Sequence, residues 1–575
     1  MLQAAENFQP EKHPYALTPQ DVSLTTFNAV LPAVQSSATV EENGKLTKLI
    51  RAVNDARSYF RPALPSDPAA AKPYQHALTL AIVARDTYVA ELQNKYDVRV
   101  PSSRTKVDVT PVDGFGSQPF HFANMMRVTG KRLAAEAAQM GGWAVYPQGK
   151  SERNVSDFFT YVQTHHPLFQ TPAEVLPDTM VRDALYYLDK RALDHVVVTD
   201  ERRKILGLLS ASDLALAMEL DEEMEVGSLP IHIEVVTAPE DIPLNDAIAL
   251  MKSERIHFLP IVTKAKEISQ ELRWVLTRKV AEQRTEISPH LDDEGRLVTA
   301  LAVSAQRAGW ESRIDDALAH GVSVLSLDSP RFDIGHMEWI NRVRYAAEKI
   351  VASKRPVRLM VGNVDNPDIV SSIIAAAVIA GMPPEHVLVN VGIGPGHACI
   401  TREVEGVGVP QFTVVQECAA AARQLGGNVV ADGGIRQPGD LAKLIAVGAS
   451  QGMIGTIAAP LVESAAVKKR DERGVYTVNF GMASEVFAQL RQDTARDLDA
   501  IRFRGTFTEG LGKQKVYRQP NIETVGDLTL HFRRGLQGAA TMVGALDMRE
   551  FQCNAHFVLQ NDSGYREGLG KTEVH

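Results

Sequence analysis

From about residue 300 to residue 455, short unbroken apolar runs alternate with helix-like stretches, and this alternation most narrows the fold. The runs are 323–327, 357–361, 387–391, 428–431 and 452–455, and helical patterns such as 371–380 and 413–425 lie between them. A strand that is apolar on both faces must be covered on both faces, which implies a parallel sheet with helices on either side. Polar, glycine-rich turns follow the strands, as they do at the active face of a (β/α)8 barrel. A doubly wound open sheet gives a similar alternation, so pattern alone favours the barrel only weakly.

The chain has 575 residues, more than the ~250–300 at which single cores stop growing. The middle, 170–285, follows a different order. A helix at 181–193 is followed by strands at 194–199 and 205–209, the second leading into Ser210-Ala211-Ser212-Asp213. The same order recurs weakly at 244–252, 258–262 and 274–277, which suggests two copies of a short α/β unit forming a paired regulatory module. Residues 33–103 fit neither pattern. They hold charged, helix-like runs at 46–59 and 74–96 around a proline-bearing linker, and read as a helical insertion. The expected boundaries are therefore 1–168 for the first part of the barrel, 169–225 and 226–285 for the two copies, and 286–575 for the rest of the barrel.

Composition excludes several classes. A net charge of -9 without a concentrated basic run argues against nucleic acid as a partner. No apolar run reaches the ~18 residues of a membrane span. The first residues lack a signal-peptide layout. Three cysteines in so long a chain make no disulfide framework. A cytoplasmic protein with free thiols is the expectation.

The strongest chemical signal is Val391-Gly392-Ile393-Gly394-Pro395-Gly396-His397-Ala398-Cys399-Ile400-Thr401-Arg402. Its glycines permit positive φ and close backbone approach to a ligand. A cysteine ending such a loop can sit exposed at the mouth of a strand, where backbone N–H groups raise its thiolate fraction. Cys418 lies in an apolar helix and reads as core, and Cys553 has no glycine loop beside it.

This loop resembles the signature of the IMP dehydrogenase/GMP reductase family, a glycine-rich loop with a nucleophilic cysteine and a threonine two residues on. Other motifs stand in family order: Ala123-Asn124-Met125, Val361-Gly362-Asn363-Val364, Gly406-Val407-Gly408-Val409-Pro410-Gln411, Ala431-Asp432-Gly433-Gly434-Ile435-Arg436, Met453-Ile454-Gly455-Thr456 and Phe480-Gly481-Met482-Ala483-Ser484. The 170–285 segment is similar to a tandem pair of CBS domains, which the family inserts between its second and third barrel strands. In such domains Ser/Thr-x-x-Asp holds the ribose of an adenine or guanine nucleotide. The first copy has Ser210 and Asp213, whereas the second has Thr277 but Val280 in place of the acid.

The resemblance implies a (β/α)8 TIM barrel with an inserted tandem CBS module, acting on GMP or IMP with a nicotinamide cofactor. Cys399 would form a thioimidate at C2 of the purine. Asp432 would hold the ribose. Backbone N–H groups at Gly434, Gly455 and Thr456 would hold the 5′-phosphate. Met482, Ala483 and Ser484 would line the base, and Asp328 and Ser329 would contact the cofactor. Potassium would bind carbonyls of Gly392, Gly394 and Cys399. The resemblance also implies a homotetramer or octamer.

The two branches of the family differ in the flap. A dehydrogenase hydrolyses its adduct to XMP through an Arg-Tyr pair, and here Arg502-Phe503 lacks the hydroxyl. A reductase protonates departing ammonia with a flap glutamate and the loop threonine, and Glu509-Gly510 with Thr401 is similar to that form. These features imply an NADPH-dependent GMP reductase, with an NAD-dependent IMP dehydrogenase as the alternative and a nucleotide-sensing protein on the same fold as a third reading. His397 and Phe480 replace residues that contact phosphate in the family.

Overall fold

A computed structural model describes residues 22–25, 41, 45, 48, 107–221, 223–264, 271–305, 308–332, 337–396, 402, 406–479 and 514–561. The chain divides into two compact units, one of Met1–Tyr15, Pro19–Val109 and Arg534–His575, the other of Ala16–Thr18 and Thr110–Arg533.

The larger unit holds an eight-stranded sheet whose neighbouring strands are parallel. Its strands are β1 (Phe120–Phe122), β2 (Val145–Tyr146), β3 (Ala300–Ser304), β4 (Val324–Asp328), β5 (Arg358–Val364), β6 (Val387–Val391), β7 (Asn428–Asp432) and β8 (Gln451–Ile454). β8 pairs with β1, and a parallel bridge from Phe122 to Ala144 joins β1 to the β2 side, so the sheet rounds into a barrel. The helices are α1 (Lys131–Gln139), α2 (Glu152–Gln163), α3 (Trp310–Ala319), α4 (Met337–Ser353), α5 (Pro367–Ile379), α6 (Gln411–Gln424) and α7 (Pro438–Ala446).

Local chemistry explains the elements. β6, Val-Leu-Val-Asn-Val, is buried at every residue, as a strand covered on both faces must be. α5 buries Ile369, Val370, Ile373, Ile374 and Ala377, one stripe at helical spacing. It starts four residues before the expected 371 because Asn366 caps it, accepting from Asp368 N at 2.7 Å, and Pro367 is pre-set for the first turn. Cys418 on α6 is core, and burial pushes its thiol far above the usual range.

The N-terminal end of the barrel is floored by polar contacts. Gln451 accepts from Trp143 Nε1 (3.0 Å), lies 3.1 Å from His121 Nδ1, and donates to Asp113 Oδ2 (2.9 Å). The His121 ring stacks on Trp143 at 3.7 Å, and burial pushes its pKa down to about 3, so the imidazole is neutral.

Two three-stranded sheets lie between β2 and β3. The first has strands Glu174–Val175, His195–Thr199 and Ile205–Ser210, with helices Val181–Arg191 and Ala211–Leu220. The second has strands Ala238–Pro239, Phe258–Val262 and Leu272–Thr277, with helices Leu244–Ser253 and Arg278–Glu286. Each pairs its first two strands parallel and its last two antiparallel, so the repeat read from sequence is a repeat of topology. The halves exchange edges. His232, which precedes the second half, pairs with Leu208 of the first, and Gln170, which precedes the first half, pairs with Val275 of the second.

Both connections of this module reach the end of α1. Gln139 Nε2 donates to His166 O (2.6 Å) and Phe169 O (2.9 Å), on the way into the module. On the way out, Arg284 donates to Glu136 Oε1 (2.8 Å) and Gln139 Oε1 (3.0 Å). The Arg284 side chain is 0% exposed, and its buried Nε and NH1 atoms have no partner among the described residues.

In the smaller unit, strand Val22–Thr25 pairs antiparallel with His556–Leu559, and Asp547 caps helix Met548–Asn554. The expected helical insertion at 33–103 lies outside the described residues except for Glu41, Lys45 and Lys48, which are helical. Among the described residues no helix is long and apolar enough to cross a membrane.

Removing one member of a buried ion pair strands the other charge. Glu136→Ala should therefore cost about 3 kcal/mol, read as a lower urea midpoint, whereas exposed Glu152→Ala should be near neutral.

Candidate active site

The carboxyl ends of the barrel strands gather at one mouth. β4 ends in Asp328, β5 carries Gly362 and Asn363, β6 runs into Gly392, β7 ends in Asp432 and β8 runs into Gly455. Register brings Asp328 level with Gly362, and Gly362 level with Asn390. A Cβ on Gly362 would lie 2.4 Å from Asn390 Cβ, which explains the glycine. Ser329 N donates to Gly362 O (2.8 Å) and Asn363 N to Ser329 O (2.9 Å), tying the loop after β4 to the end of β5.

Two side-chain amides join the next strands. Asn363 Nδ2 donates to Asp432 Oδ2 (2.6 Å) and to Gly392 O (2.9 Å). Gln411 Nε2 donates to Val391 O (2.8 Å) and Asp432 O (3.2 Å). Gly392, at φ 141°, admits this packing because a Cβ there would lie 2.5 Å from Asp432 O. A third amide, Gln148 Nε2 after β2, donates to Asp328 Oδ2 (2.6 Å), while its buried Oε1 has no partner among the described residues.

Burial raises the Asp432 carboxyl to about 6; the Asp328 charge adds to the rise, and the Asn363 hydrogen bond opposes it. Two carboxylates thus face one mouth, each accepting from a side-chain amide. Carboxylates of this kind accept hydrogen bonds from vicinal hydroxyls.

Gly433 and Gly434 follow Asp432 at φ 87° and 77°. Gly455 packs so closely on Met125 that a Cβ would lie 2.9 Å from Sδ, and Thr456 opens the 3-10 turn Thr456–Ala458. Gly394 has φ 74°, and the Arg402 guanidinium spans the loop, donating to Ile393 O (3.0 Å) and Val409 O. The structure therefore brings Asp328, Ser329, Gly392, Gly394, Asp432, Gly434, Gly455 and Thr456 to one end of one barrel. Cys399, Thr401, Glu509, Met482, Ala483 and Ser484, with His397 and Phe480, lie outside the described residues.

Ser210 and Asp213 belong to the module and form a capping box. Ser210 Oγ donates to Asp213 Oδ2 (2.7 Å) and accepts from Asp213 N (3.2 Å). These bonds hold the exposed Asp213 carboxyl below the usual range. In the second half Thr277 caps in the same way, but Val280 is buried and offers no carboxylate.

Sequence reasoning quoted Asn363 and Gln411 within motifs but assigned them no part, and it passed over Gln148. Amides at strand ends beside carboxylates were the available signal for the first two. Gln148 follows a two-residue strand and gives none.

Known proteins agree with this geometry. Residues 102–571 match the family model described as the IMP dehydrogenase / GMP reductase domain. A GMP reductase of Mycobacterium tuberculosis is 33% identical over 472 residues, covering 81% of this chain and 93% of that protein. An inosine-5′-monophosphate dehydrogenase of Aquifex aeolicus is 32% identical, covering 78% and 87%. A solved GMP reductase from Trypanosoma brucei bound to guanosine 5′-monophosphate aligns with TM-score 0.54 at 26% identity, over 83% of this chain and 95% of that one. The chain belongs to the IMP dehydrogenase/GMP reductase family of purine-nucleotide oxidoreductases.

A carboxyl whose folded pKa lies above its unfolded value of 3.8 costs stability when ionised, and regains it as pH falls from 6 toward 4. Asp432→Asn should therefore stabilise the protein at pH 8, by about 3 kcal/mol. The gain should vanish near pH 4, as followed by melting temperature.

Proposed function

We propose that the protein is a GMP reductase, converting GMP to IMP and ammonia with NADPH. The observation that carries this reading is the Asp432–Asn363 pair, which sits at the strand ends beside the loop leading to Cys399. Flap residue Glu509 and the 33% identity with a GMP reductase support the reductase branch.

The roles follow from the residues. Asp432 accepts hydrogen bonds from the ribose hydroxyls, with Asn363 keeping one carboxyl oxygen aimed. Backbone N–H groups of Gly434, Gly455 and Thr456 hold the 5′-phosphate, and Met482, Ala483 and Ser484 line the base. The Cys399 thiolate adds to C2. Glu509 and Thr401 deliver a proton to the C2 amine, which leaves as ammonia and creates the thioimidate. NADPH, when bound, supplies the hydride that reduces C2. Collapse of the reduced adduct returns the electron pair to Cys399 Sγ and frees IMP.

Asp328 and Ser329 would hold that cofactor. The buried Oε1 of Gln148 beside Asp328, without a partner among the described residues, fits a polar ligand donor there. Potassium would be held by carbonyls of Gly392, Gly394 and Cys399. Gly392 O already accepts from Asn363 Nδ2 and has its second lone pair left for a cation. The repeated α/β module is read as two CBS domains, 169–225 and 226–285, with an adenine or guanine nucleotide at Ser210 and Asp213. A cytoplasmic homotetramer or octamer completes the reading.

The second reading is IMP dehydrogenase, favoured by the inserted module, which small reductases generally lack. Absorbance at 340 nm separates them. GMP with NADPH should lose absorbance and release ammonia, and Cys399→Ala and Glu509→Gln should each lower the rate by at least about a hundredfold. A rise with IMP and NAD alone would make the protein a dehydrogenase and remove Glu509 from its role. Silence in both would point to a nucleotide-sensing protein.

The effector reading has its own test. Asp213→Ala should abolish any change of rate caused by ATP or GTP while leaving the rate without effector unchanged. An effect that persists in the variant places the effector elsewhere.

A further inference from the structure

Opposite the active-site mouth, at the N-terminal ends of the strands, lies a cavity of about 200 Å³. Its wall includes His290, Ser323, Arg355, Arg358 and His386, and also the acids Asp292 and Asp293. That face of a barrel ordinarily serves stability, so a cavity lined with charged and imidazole groups there calls for an explanation.

Arg358 is the first residue of β5 and is 8% exposed. Its guanidinium lies 4.5 Å from the Phe115 ring centroid and donates to Glu385 O (2.9 Å) and Asp113 O (3.2 Å). Both acceptors are neutral carbonyls. Among the described residues no carboxylate stands within ion-pairing distance of it. A buried cation without a paired anion is costly.

Asp113 and Glu385 act on Arg358 only beyond ion-pairing distance, and the other nearby acids are committed elsewhere. Asp292 accepts from Arg296 Nε (3.0 Å) and NH2 (2.9 Å) and from two backbone N–H groups. Asp293 and Glu294 lie 3.8 and 3.2 Å from Arg355. Asp113 accepts from Gln451 and Phe115 N; burial pushes its carboxyl above the usual range, and the Arg358 charge opposes that rise.

The remaining polar groups suit a ligand with both acceptor and donor oxygens. Ser323 Oγ accepts from Thr299 N (3.3 Å), and its own hydroxyl can donate. His290 Nδ1 faces Gly142 O (3.1 Å), so it carries the proton and leaves the other ring nitrogen an acceptor. Burial and Arg358 push both His290, to about 4, and His386 down, so both rings are neutral. A hydrogen phosphate supplies the anionic oxygens for Arg358 and Ser323 and an O–H for an imidazole, which a simple carboxylate cannot. The cavity is large enough for a phosphate group.

We propose that this barrel-floor cavity binds a small phosphate-class oxyanion, with the Arg358 guanidinium as its counter-ion and Ser323, His290 and His386 completing its hydrogen bonds. The site is separate from the catalytic mouth and does not depend on which reaction occurs there.

Inorganic phosphate titrated into the full chain at constant ionic strength tests this by calorimetry and melting temperature. A saturable component is expected, raising the melting temperature by about 1–2 °C at tenfold excess over Kd. It should be lost in Arg358→Gln and weakened at least about threefold in His386→Ala. Should Arg358→Gln fail to fold, His386→Ala and Ser323→Ala decide. Competition by ribose 5-phosphate would identify a phosphate monoester as ligand, and its failure to compete would identify free phosphate. Either result supports the site. No saturable component in the unmodified protein, or an identical one in the variants that fold, would overturn it.

Discussion

Closure of the parallel sheet is the constraint on which the site depends. In an open sheet the ends of β4 and β8 would diverge with the twist. Rounding the sheet through the Phe122–Ala144 bridge brings those carboxyl ends to one mouth. Residues separated by more than a hundred positions, such as Asp328 and Asp432, then act on a single volume. The amides finish what closure starts. Asn363 and Gln411 reach from one strand to the next and hold the ends of β5, β6 and β7 at fixed spacing.

Rigidity here carries an energetic cost. Asp432 is ionised against burial and against its neighbour Asp328, and one hydrogen bond from Asn363 only partly offsets both. A charge held under such tension is stabilised by whatever donates to it. Stability surrendered in this way is a common accompaniment of function.

Much of the fold was legible in the sequence. Strands 387–391 and Phe258–Val262 were read at their observed bounds, because continuous apolar runs leave no other face to hide. The start of α5 was missed, since the Asn-Pro cap is a single local hydrogen bond with no periodicity. The site divided similarly. Asp432 and the glycines announce themselves through positive φ and strand-end position. Gln148 does not, because its meaning lies in an atom donated 180 residues along the chain. The floor contacts of Arg358 were equally invisible: β5 reads as an apolar strand, and nothing local says that its first side chain lacks a carboxylate partner.

The meeting of both module connections on Glu136 and Gln139 has an entropic consequence. A chain that departs and returns at one spot contributes little loop-closure entropy to its host, whatever its length. The edge exchange through Gln170 and His232 ties the two halves to each other, and hydrogen bonds at Arg132, Glu136 and Gln139 tie them to α1. Such an arrangement behaves as a cassette. Half of it alone would present a stray sheet edge open to pairing with other strands.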